Sequence, residues 1–111
     1  MSIERHYRKG EILFREGDLP SEVFLITEGK VAILKGNVKL ATLGSGEFLG
    51  EMSVLDGRPR SATAKAEEET KVLALDREEL LRKMEEDPLI GALITTLIRR
   101  LRDADQKLAE Q

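Results

Sequence analysis

The sequence has no cysteine, a single histidine and fewer basic than acidic residues, and each shortage excludes a class of protein. Without cysteine, neither a disulfide nor thiolate chemistry is available. One histidine, His6, is too few for a metal centre built on several imidazoles, and a Ser-His nucleophile would have only this histidine to use. The formal net charge of -3 argues against a general nucleic-acid surface, although local charge can still suit an anionic ligand.

Long apolar runs and targeting signals are missing as well. No run reaches the length needed to span a bilayer, and no signal-peptide pattern opens the sequence, so we expect a cytoplasmic protein without membrane insertion. The 111 residues, of which 41% are hydrophobic, fit a single domain with one core. We therefore expect one domain over residues 1–111.

The first half of the sequence predicts a β-rich unit. Glycines separate short runs of strand character, and Gly36-Asn37 predicts a hairpin turn because both residues tolerate positive φ. The predicted strands are residues 11–15, 23–27, 31–35, 38–43, 61–66 and 71–75. The acidic run 67–69 predicts a solvated turn between the last two. This spacing is typical of a β-sandwich, jelly roll or barrel.

The second half predicts two helices, at about 77–86 and 88–110. Asp76 can cap the first helix, with Glu79 as its capping-box partner. Asp87 and Pro88 suit the N-cap and first position of the second. The apolar residues of that helix are spaced 3 and 4 apart, as in a coiled-coil seam. They are Ile94, Leu97, Leu101, Ala104 and Leu108.

Several familiar motifs do not fit. Gly29-Lys30-Val31 lacks the GxxxxGK[ST] pattern of a phosphate loop, and the glycine-rich residues 44–50 miss the spacing of a dinucleotide fingerprint. No set of catalytic groups is visible. We therefore expect a protein that is not an enzyme and that has no cofactor or metal.

The segment GEMSVLDGRPRSATA, residues 50–64, is the candidate site. Gly50 allows the backbone to turn sharply or approach another group closely. The next five residues are long enough for one helical turn, whose free N–H groups suit an anion. The Glu51 carboxylate is an acceptor and would take hydroxyl or amine donors.

The second half of this segment supplies an anion contact. Arg60 can hold a phosphate through two parallel N–H bonds, Ser61 adds a hydroxyl, and Ala62 lets its backbone N–H approach a ligand. Together with Glu51, these groups describe a sugar phosphate or nucleotide. Spacing alone gives equal weight to another interpretation, a surface loop in which Glu51 and Arg60 form a weak ion pair.

The segment resembles the phosphate-binding cassette of the cyclic nucleotide-binding domain family, which includes sensor domains of the catabolite activator type. The family pattern is approximately Gly-Glu-hydrophobic-small-hydrophobic, a short spacer, then Pro-Arg-small-Ala. It is matched here by residues 50–63, and the earlier KGEILFREGD and VFLITEGKVAIL resemble the first strands of the family. The resemblance covers roughly residues 9 to 110.

This resemblance implies a mainly β fold, an eight-stranded, jelly-roll-like β-roll over about 9–75 followed by two C-terminal helices. It implies that Arg60 pairs with a cyclic phosphate and that Glu51 accepts from a ribose 2′-hydroxyl. The implied ligand contacts are Gly50, Glu51, Met52, Ser53, Arg60, Ser61, Ala62 and Thr63. The implied base and sugar pocket is Ile33, Leu40, Leu49 and Asp105.

Three features depart from the family pattern. Only residues 1–9 precede the first predicted strand, so we expect the helical arm of the family to be short or absent. Ala104-Asp105 stands where the catabolite activator has a Thr-Ser pair that reaches adenine; Asp105 can accept from an amine, but Ala104 cannot. No effector domain follows the last helix in this sequence, so we expect the output to be carried either by another chain or by a part of the protein outside this sequence.

The sequence thus predicts a cyclic nucleotide sensor that favours cAMP, with cGMP as the alternative ligand. Binding would be transmitted through the last helix to a second copy of the chain or to a separate effector. A competing hypothesis is an interaction module that binds no ligand. Either way, dimerisation would use Ile94, Leu97, Leu101 and Leu108.

Overall fold

A computed structural model describes residues 2–51, 53 and 57–109, without the side chains of 101, 102 and 104–109. The strands are β1 (Ser2–Tyr7), β2 (Ile12–Phe14), β3 (Glu22–Glu28), β4 (Lys30–Lys35), β5 (Val38–Gly44), β6 (Phe48–Leu49), β7 (Thr63–Ala66) and β8 (Thr70–Asp76). The helices are α1 (Arg77–Glu86) and α2 (Pro88–Ala109). The mainly β fold class with two C-terminal helices is confirmed.

The strands form two antiparallel sheets of four strands each. One sheet has the order β1-β8-β3-β6, and the other has the order β2-β7-β4-β5. Consecutive strands often lie in different sheets, so the chain winds as a roll. The sheets are therefore held together by side-chain packing across their inner faces.

The core lies between the two sheets and follows the period-2 alternation of strands. In β8 the inward residues Thr70, Val72 and Ala74 are buried, whereas the residues between them are half-buried. Ile26 and Val31 are fully buried, which is worth about 1.5–3 kcal/mol for each side chain. The core cluster consists of Phe24, Ile26, Val31, Leu49, Ala64, Val72 and Ala74.

The predicted start of the roll, at about residue 9, was wrong. β1 occupies Ser2–Tyr7 and pairs with β8 from Ser2 opposite Leu75 to Tyr7 opposite Thr70. The charged residues of this segment weaken its strand pattern in the sequence. Arg5 lies on the inner side of β1, where an apolar residue is usual. Its charge is tolerated there because it is paired with Glu22 of β3.

The predicted hairpin at Gly36-Asn37 is confirmed. Gly36 has a φ of 58°, and β4 and β5 pair on either side of the turn. The register shifts between Ile33, opposite Ala41, and Leu34, opposite Lys39, which leaves Leu40 as the extra residue of a β-bulge. The predicted strand 61–66 is shorter than expected, since β7 begins at Thr63.

Both predicted helix caps are confirmed. The Asp76 carboxylate accepts from the backbone N–H groups of Glu78 (2.8 Å) and Glu79 (3.3 Å), and the Asp87 carboxylate accepts from the N–H of Ile90 (3.3 Å). In the described part of the chain, neither helix combines the length and apolarity required to cross a bilayer. The two helices follow β8 directly. The candidate site lies in the segment between β6 and β7.

Candidate anion-binding site around Arg60

The Arg60 side chain is buried, with only 4% of the residue exposed. Its Nη1 donates to the carbonyl of Gly50 at 3.2 Å, and its Nη2 donates to the carbonyl of Glu22 at 2.5 Å. The guanidinium carbon lies 4.2 Å from the centre of the Phe14 ring, in cation–π geometry. Arg60 is therefore not the surface residue that the interpretation from spacing described, because its charge is held inside the roll.

The backbone of Arg60 is fixed by the loop between β2 and β3. Its N–H donates to the carbonyl of Asp18 at 2.7 Å, and its carbonyl accepts from the N–H of Gly17 at 2.8 Å. The loop itself is closed by the Asp18 carboxylate, which accepts from the Arg15 N–H at 2.9 Å. Both ends of the arginine are thus anchored, so its guanidinium has a defined position.

The buried Arg60 guanidinium has the charge and a hydrogen-bond donor that an anion can use. Desolvation lowers the pKa of Arg60 from its ordinary value, and the charges of Glu22, Asp18 and Glu51 act in the opposite direction. Arginine nevertheless stays protonated in proteins. The buried Nε–H of Arg60 has no acceptor in the part of the chain that the structure describes. A buried donor without an acceptor is costly, and an anionic oxygen would satisfy it.

Gly50 is the residue that makes room for this guanidinium. It has a φ of 78°, which favours glycine. A Cβ at this position would overlap Nη1 of Arg60 and would lie 3.0 Å from its Cζ. The predicted ligand contacts Gly50 and Arg60 are therefore brought together.

The residues after Gly50 adopt helical structure where they are described. Glu51 and Ser53 are helical and half-buried, and the carbonyl of Ser53 accepts from the Gly57 N–H at 2.9 Å. The carboxylate of Glu51 is near enough to Arg60 to affect its pKa. Met52, a predicted contact, lies outside the described residues.

The three residues after Arg60 differ in their exposure and in their hydrogen bonds. Ser61 is exposed, whereas Ala62 is only 9% exposed. The hydroxyl oxygen of Thr63 accepts from the Glu16 N–H at 2.9 Å. Ser61 therefore keeps its hydroxyl at the surface of the site, and Thr63 ties β7 to the loop that holds Arg60.

The predicted base and sugar pocket is only partly assembled. Half-buried Ile33 and 58% exposed Leu40 are neighbours on the β4–β5 hairpin. Leu49 lies in the other sheet and is 1% exposed, so its side chain is part of the core. Asp105 belongs to α2, and its side chain lies outside the described part.

The predicted dimer seam is described only at its start. Leu97 is 49% exposed and Ile94 is half-buried, while the side chains of Leu101 and Leu108 lie outside the described part. Leu89 and Leu93, at 79% and 54% exposure, add apolar surface to the first turns of α2.

Sequence patterns did not indicate three groups that position Arg60. Phe14 lay in a predicted strand, but its place beneath the guanidinium depends on a contact across the roll. The carbonyl of Glu22 and the Gly17-Asp18 loop are likewise distant in sequence. A buried arginine requires such partners, but the sequence does not say which residues supply them.

Comparison with known proteins indicates the family of the chain. The sequence profile of the cyclic nucleotide-binding domain matches residues 4–87. The chain is 42% identical over 110 residues to the cyclic AMP receptor protein of Thermus thermophilus, covering 94% of this chain and 51% of that protein. It is 35% identical to a cGMP-dependent protein kinase of Eimeria tenella, covering 92% of this chain and 10% of the kinase.

Solved structures show the same fold. The crystal structure of the Thermus thermophilus catabolite activator protein superimposes with a TM-score of 0.78 at 41% identity, over 97% of this chain and 54% of that one. PKAR CBD2 with bound Sp-2Cl-cAMPS gives a TM-score of 0.82 at 29% identity, over 98% of this chain and 70% of that one. The chain spans about half the length of the receptor protein that it matches.

Proposed function

Because the chain belongs to the cyclic nucleotide-binding domain family, we propose that it binds a cyclic nucleotide through residues 50–63 and regulates a partner without catalysing a reaction. One observation carries this proposal. Arg60 is buried, anchored at both ends, and keeps an Nε–H without an acceptor in the described part of the chain. The cyclic phosphate supplies the acceptor that this Nε–H lacks in the described part of the chain.

Each remaining group of the segment then has a role toward one part of the ligand. The Glu51 carboxylate accepts from the ribose 2′-hydroxyl, because it is an acceptor and would repel a phosphate. The exposed hydroxyl of Ser61 and the backbone at Ala62 complete the phosphate contacts. Ile33 and Leu40 on the β4–β5 hairpin cover the sugar and base.

We propose cAMP as the preferred ligand, with cGMP as the alternative. The support is the Thermus thermophilus relative, named as a cyclic AMP receptor protein, and the similarity to PKAR CBD2 with a bound cAMP analogue. The similarity to a cGMP-dependent protein kinase supports the alternative. Ser61 follows the arginine directly and carries a hydroxyl, so its variants test the choice.

The output of binding is proposed to pass through α2. A ligand shifts a conformational equilibrium only by its different affinity for the two states, so α2 must pack differently in the bound and free protein. The exposed apolar residues at the start of α2, Leu89, Leu93 and Leu97, suit contact with a second copy of the chain or with a separate effector.

The same exposed residues favour a second candidate function, an interaction module that dimerises without a ligand. Sedimentation with and without nucleotide separates the two. A dimer that is indifferent to cAMP and dissociates on Leu97→Asp would support the module. A dimer whose association constant changes with cAMP would support the sensor.

A thermal-shift panel of cAMP, cGMP, 5′-AMP and a cyclic dinucleotide tests the proposed binding. A ligand that binds only the folded state raises the melting temperature, and the rise grows with the logarithm of the ligand concentration above the dissociation constant. We expect a shift with cAMP that is larger than that with cGMP and absent with 5′-AMP. No shift with any cyclic nucleotide, together with no calorimetric heat, would contradict the proposal.

A further inference from the structure

Glu22 makes two separate contacts with arginines. Its backbone carbonyl accepts from Nη2 of Arg60 at 2.5 Å. Its two carboxylate oxygens accept from Nη1 and Nη2 of Arg5 at 2.5 and 2.6 Å, in a bidentate fork. One glutamate therefore stands between the arginine of the candidate site and an arginine of β1.

The Glu22 side chain lies on the interior side of its sheet. It lies two residues before Phe24 and four before Ile26, so it shares one face of β3 with these core residues. The Glu22 side chain is 18% exposed, and that of Arg5 is 38% exposed. A carboxylate with so little solvent requires a cationic partner. Arg5 is that partner, and it reaches Glu22 from β1, which is separated from β3 by β8.

Arg60 is the other cation beside Glu22. Of the carboxylates that oppose the desolvation of Arg60, Glu22 has the largest effect on its pKa. The unsatisfied Nε–H of Arg60 is a donor that a freed carboxylate could take. A carboxylate bound there would occupy the position and the charge that an anionic ligand needs.

We propose that Arg5 is a positioning residue for nucleotide binding, because it holds both carboxylate oxygens of Glu22 and so keeps them from pairing with Arg60. The inference rests on the proposed function. It assigns a role to β1, a strand that contributes no residue to the segment 50–63. Arg5 acts through Glu22 and does not itself contact the ligand.

Three variants test the proposal by calorimetric titration with cAMP. Arg5→Gln frees the Glu22 carboxylate and weakens binding about tenfold or more, the cost of losing a charge-assisted hydrogen bond. Glu22→Gln removes the competing charge but keeps the backbone carbonyl that accepts from Arg60, so its affinity for cAMP falls less than that of Arg5→Gln. The double variant regains most of the affinity that Arg5→Gln loses.

The rescue separates this role from mere support of the fold. If Arg5 and Glu22 only stabilised the sheet, Glu22→Gln and the double variant would bind as weakly as Arg5→Gln. Unchanged affinity in Arg5→Gln would also overturn the proposal. Lys71→Gln is the matched control, since it removes another ion pair of the same sheet, with Glu28 at 3.7 Å, at the far end of β3.

A measurement without ligand keeps the inference separate from the proposed function. The ¹⁵N–¹H signal of the Arg60 Nε, assigned by its loss in Arg60→Lys, reports directly on a new acceptor. We expect Arg5→Gln to shift this signal and the double variant to restore it. Arg5→Lys, which folds with a cation still at position 5, should give an intermediate shift.

The two outcomes are distinguishable. If the native protein binds cAMP but the Arg60 signal is the same in Arg5→Gln, the inference is overturned and the proposed function stands. If the signal moves and is restored as expected but no cyclic nucleotide binds, the relation between Arg5, Glu22 and Arg60 stands and the proposed function fails.

Discussion

Gly50 and Arg60 fit together so closely that no side chain can be added at position 50. A Cβ there would overlap the Nη1 of Arg60 and lie 3.0 Å from its Cζ, and the Gly50 carbonyl accepts from the same Nη1 at 3.2 Å. The glycine thus provides both space and an acceptor for the arginine. Two residues that begin and nearly end the candidate segment act as one unit.

Gly50→Ala should therefore remove nucleotide binding by displacing the guanidinium. We expect the affinity for cAMP to fall more than tenfold, because a charge-assisted contact is lost. Gly46→Ala is the control, since Gly46 has a similar φ of 88° but nothing within 4 Å of an added Cβ. Gly46→Ala should lose about 1 kcal/mol of stability through left-handed strain, and Gly50→Ala should lose more because its Cβ also overlaps Arg60; urea unfolding measures both. Equal affinities of the two would contradict the role given to Gly50.

Arg60→Ala should weaken cAMP binding by more than a factor of ten, because the phosphate would be buried without its partner. Arg60→Lys should fall between this variant and the native protein, since lysine keeps the charge but lacks the planar fork. Arg58→Ala is the control. Arg58 is exposed, so its replacement should change the dissociation constant by no more than about twofold. Calorimetry measures the cAMP affinity of all three variants. A loss of affinity in Arg58→Ala equal to that in Arg60→Ala would refute the role given to Arg60.

Phe14→Leu should reduce affinity by removing the ring beneath Arg60. A cation–π contact of this kind is worth about 1 kcal/mol, which corresponds to roughly fivefold in the dissociation constant. Phe24 stacks on Phe14 at 5.9 Å between ring centres and belongs to the core. Phe24→Leu should lower the melting temperature but leave the affinity nearer to native. If Phe24→Leu loses the greater share of affinity, the ring beneath Arg60 is unimportant for binding.

Thr63→Val should destabilise the loop that anchors Arg60. It removes the oxygen that accepts from the Glu16 N–H at 2.9 Å, which should cost about 1 kcal/mol in the free energy of unfolding. Thr63→Ser keeps the hydroxyl and should retain most of the stability. The pair is compared by denaturant unfolding without ligand, where identical midpoints for Val and Ser would show that this hydrogen bond does not matter.

Local patterns in the sequence predicted much of the fold. The Gly36-Asn37 turn, the caps at Asp76 and Asp87 and the alternation in β8 depend on neighbouring residues, so they could be predicted. β6 has two residues, too few for any period to appear. The prediction missed β1 because Arg5 replaces an apolar residue on the inner side, where only the distant Glu22 makes its charge tolerable.

The candidate site was predictable in its residues but not in its construction. The spacing of Gly50 and Arg60 indicated an anion contact, and the structure brings the two together. Phe14, Asp18 and Glu22, which hold the arginine, come from separate strands and loops. Their positions depend on the way the roll closes, and no local pattern in the sequence specifies that.

Calorimetric titration of the native protein with cAMP, compared with 5′-AMP and with the Arg60→Ala variant, tests whether Arg60 binds the phosphate of a cyclic nucleotide. We expect saturable binding of one cAMP for each chain, no binding of 5′-AMP, and a loss of more than tenfold in affinity for Arg60→Ala. Absence of binding by the folded native protein, or equal binding by Arg60→Ala, would contradict this expectation.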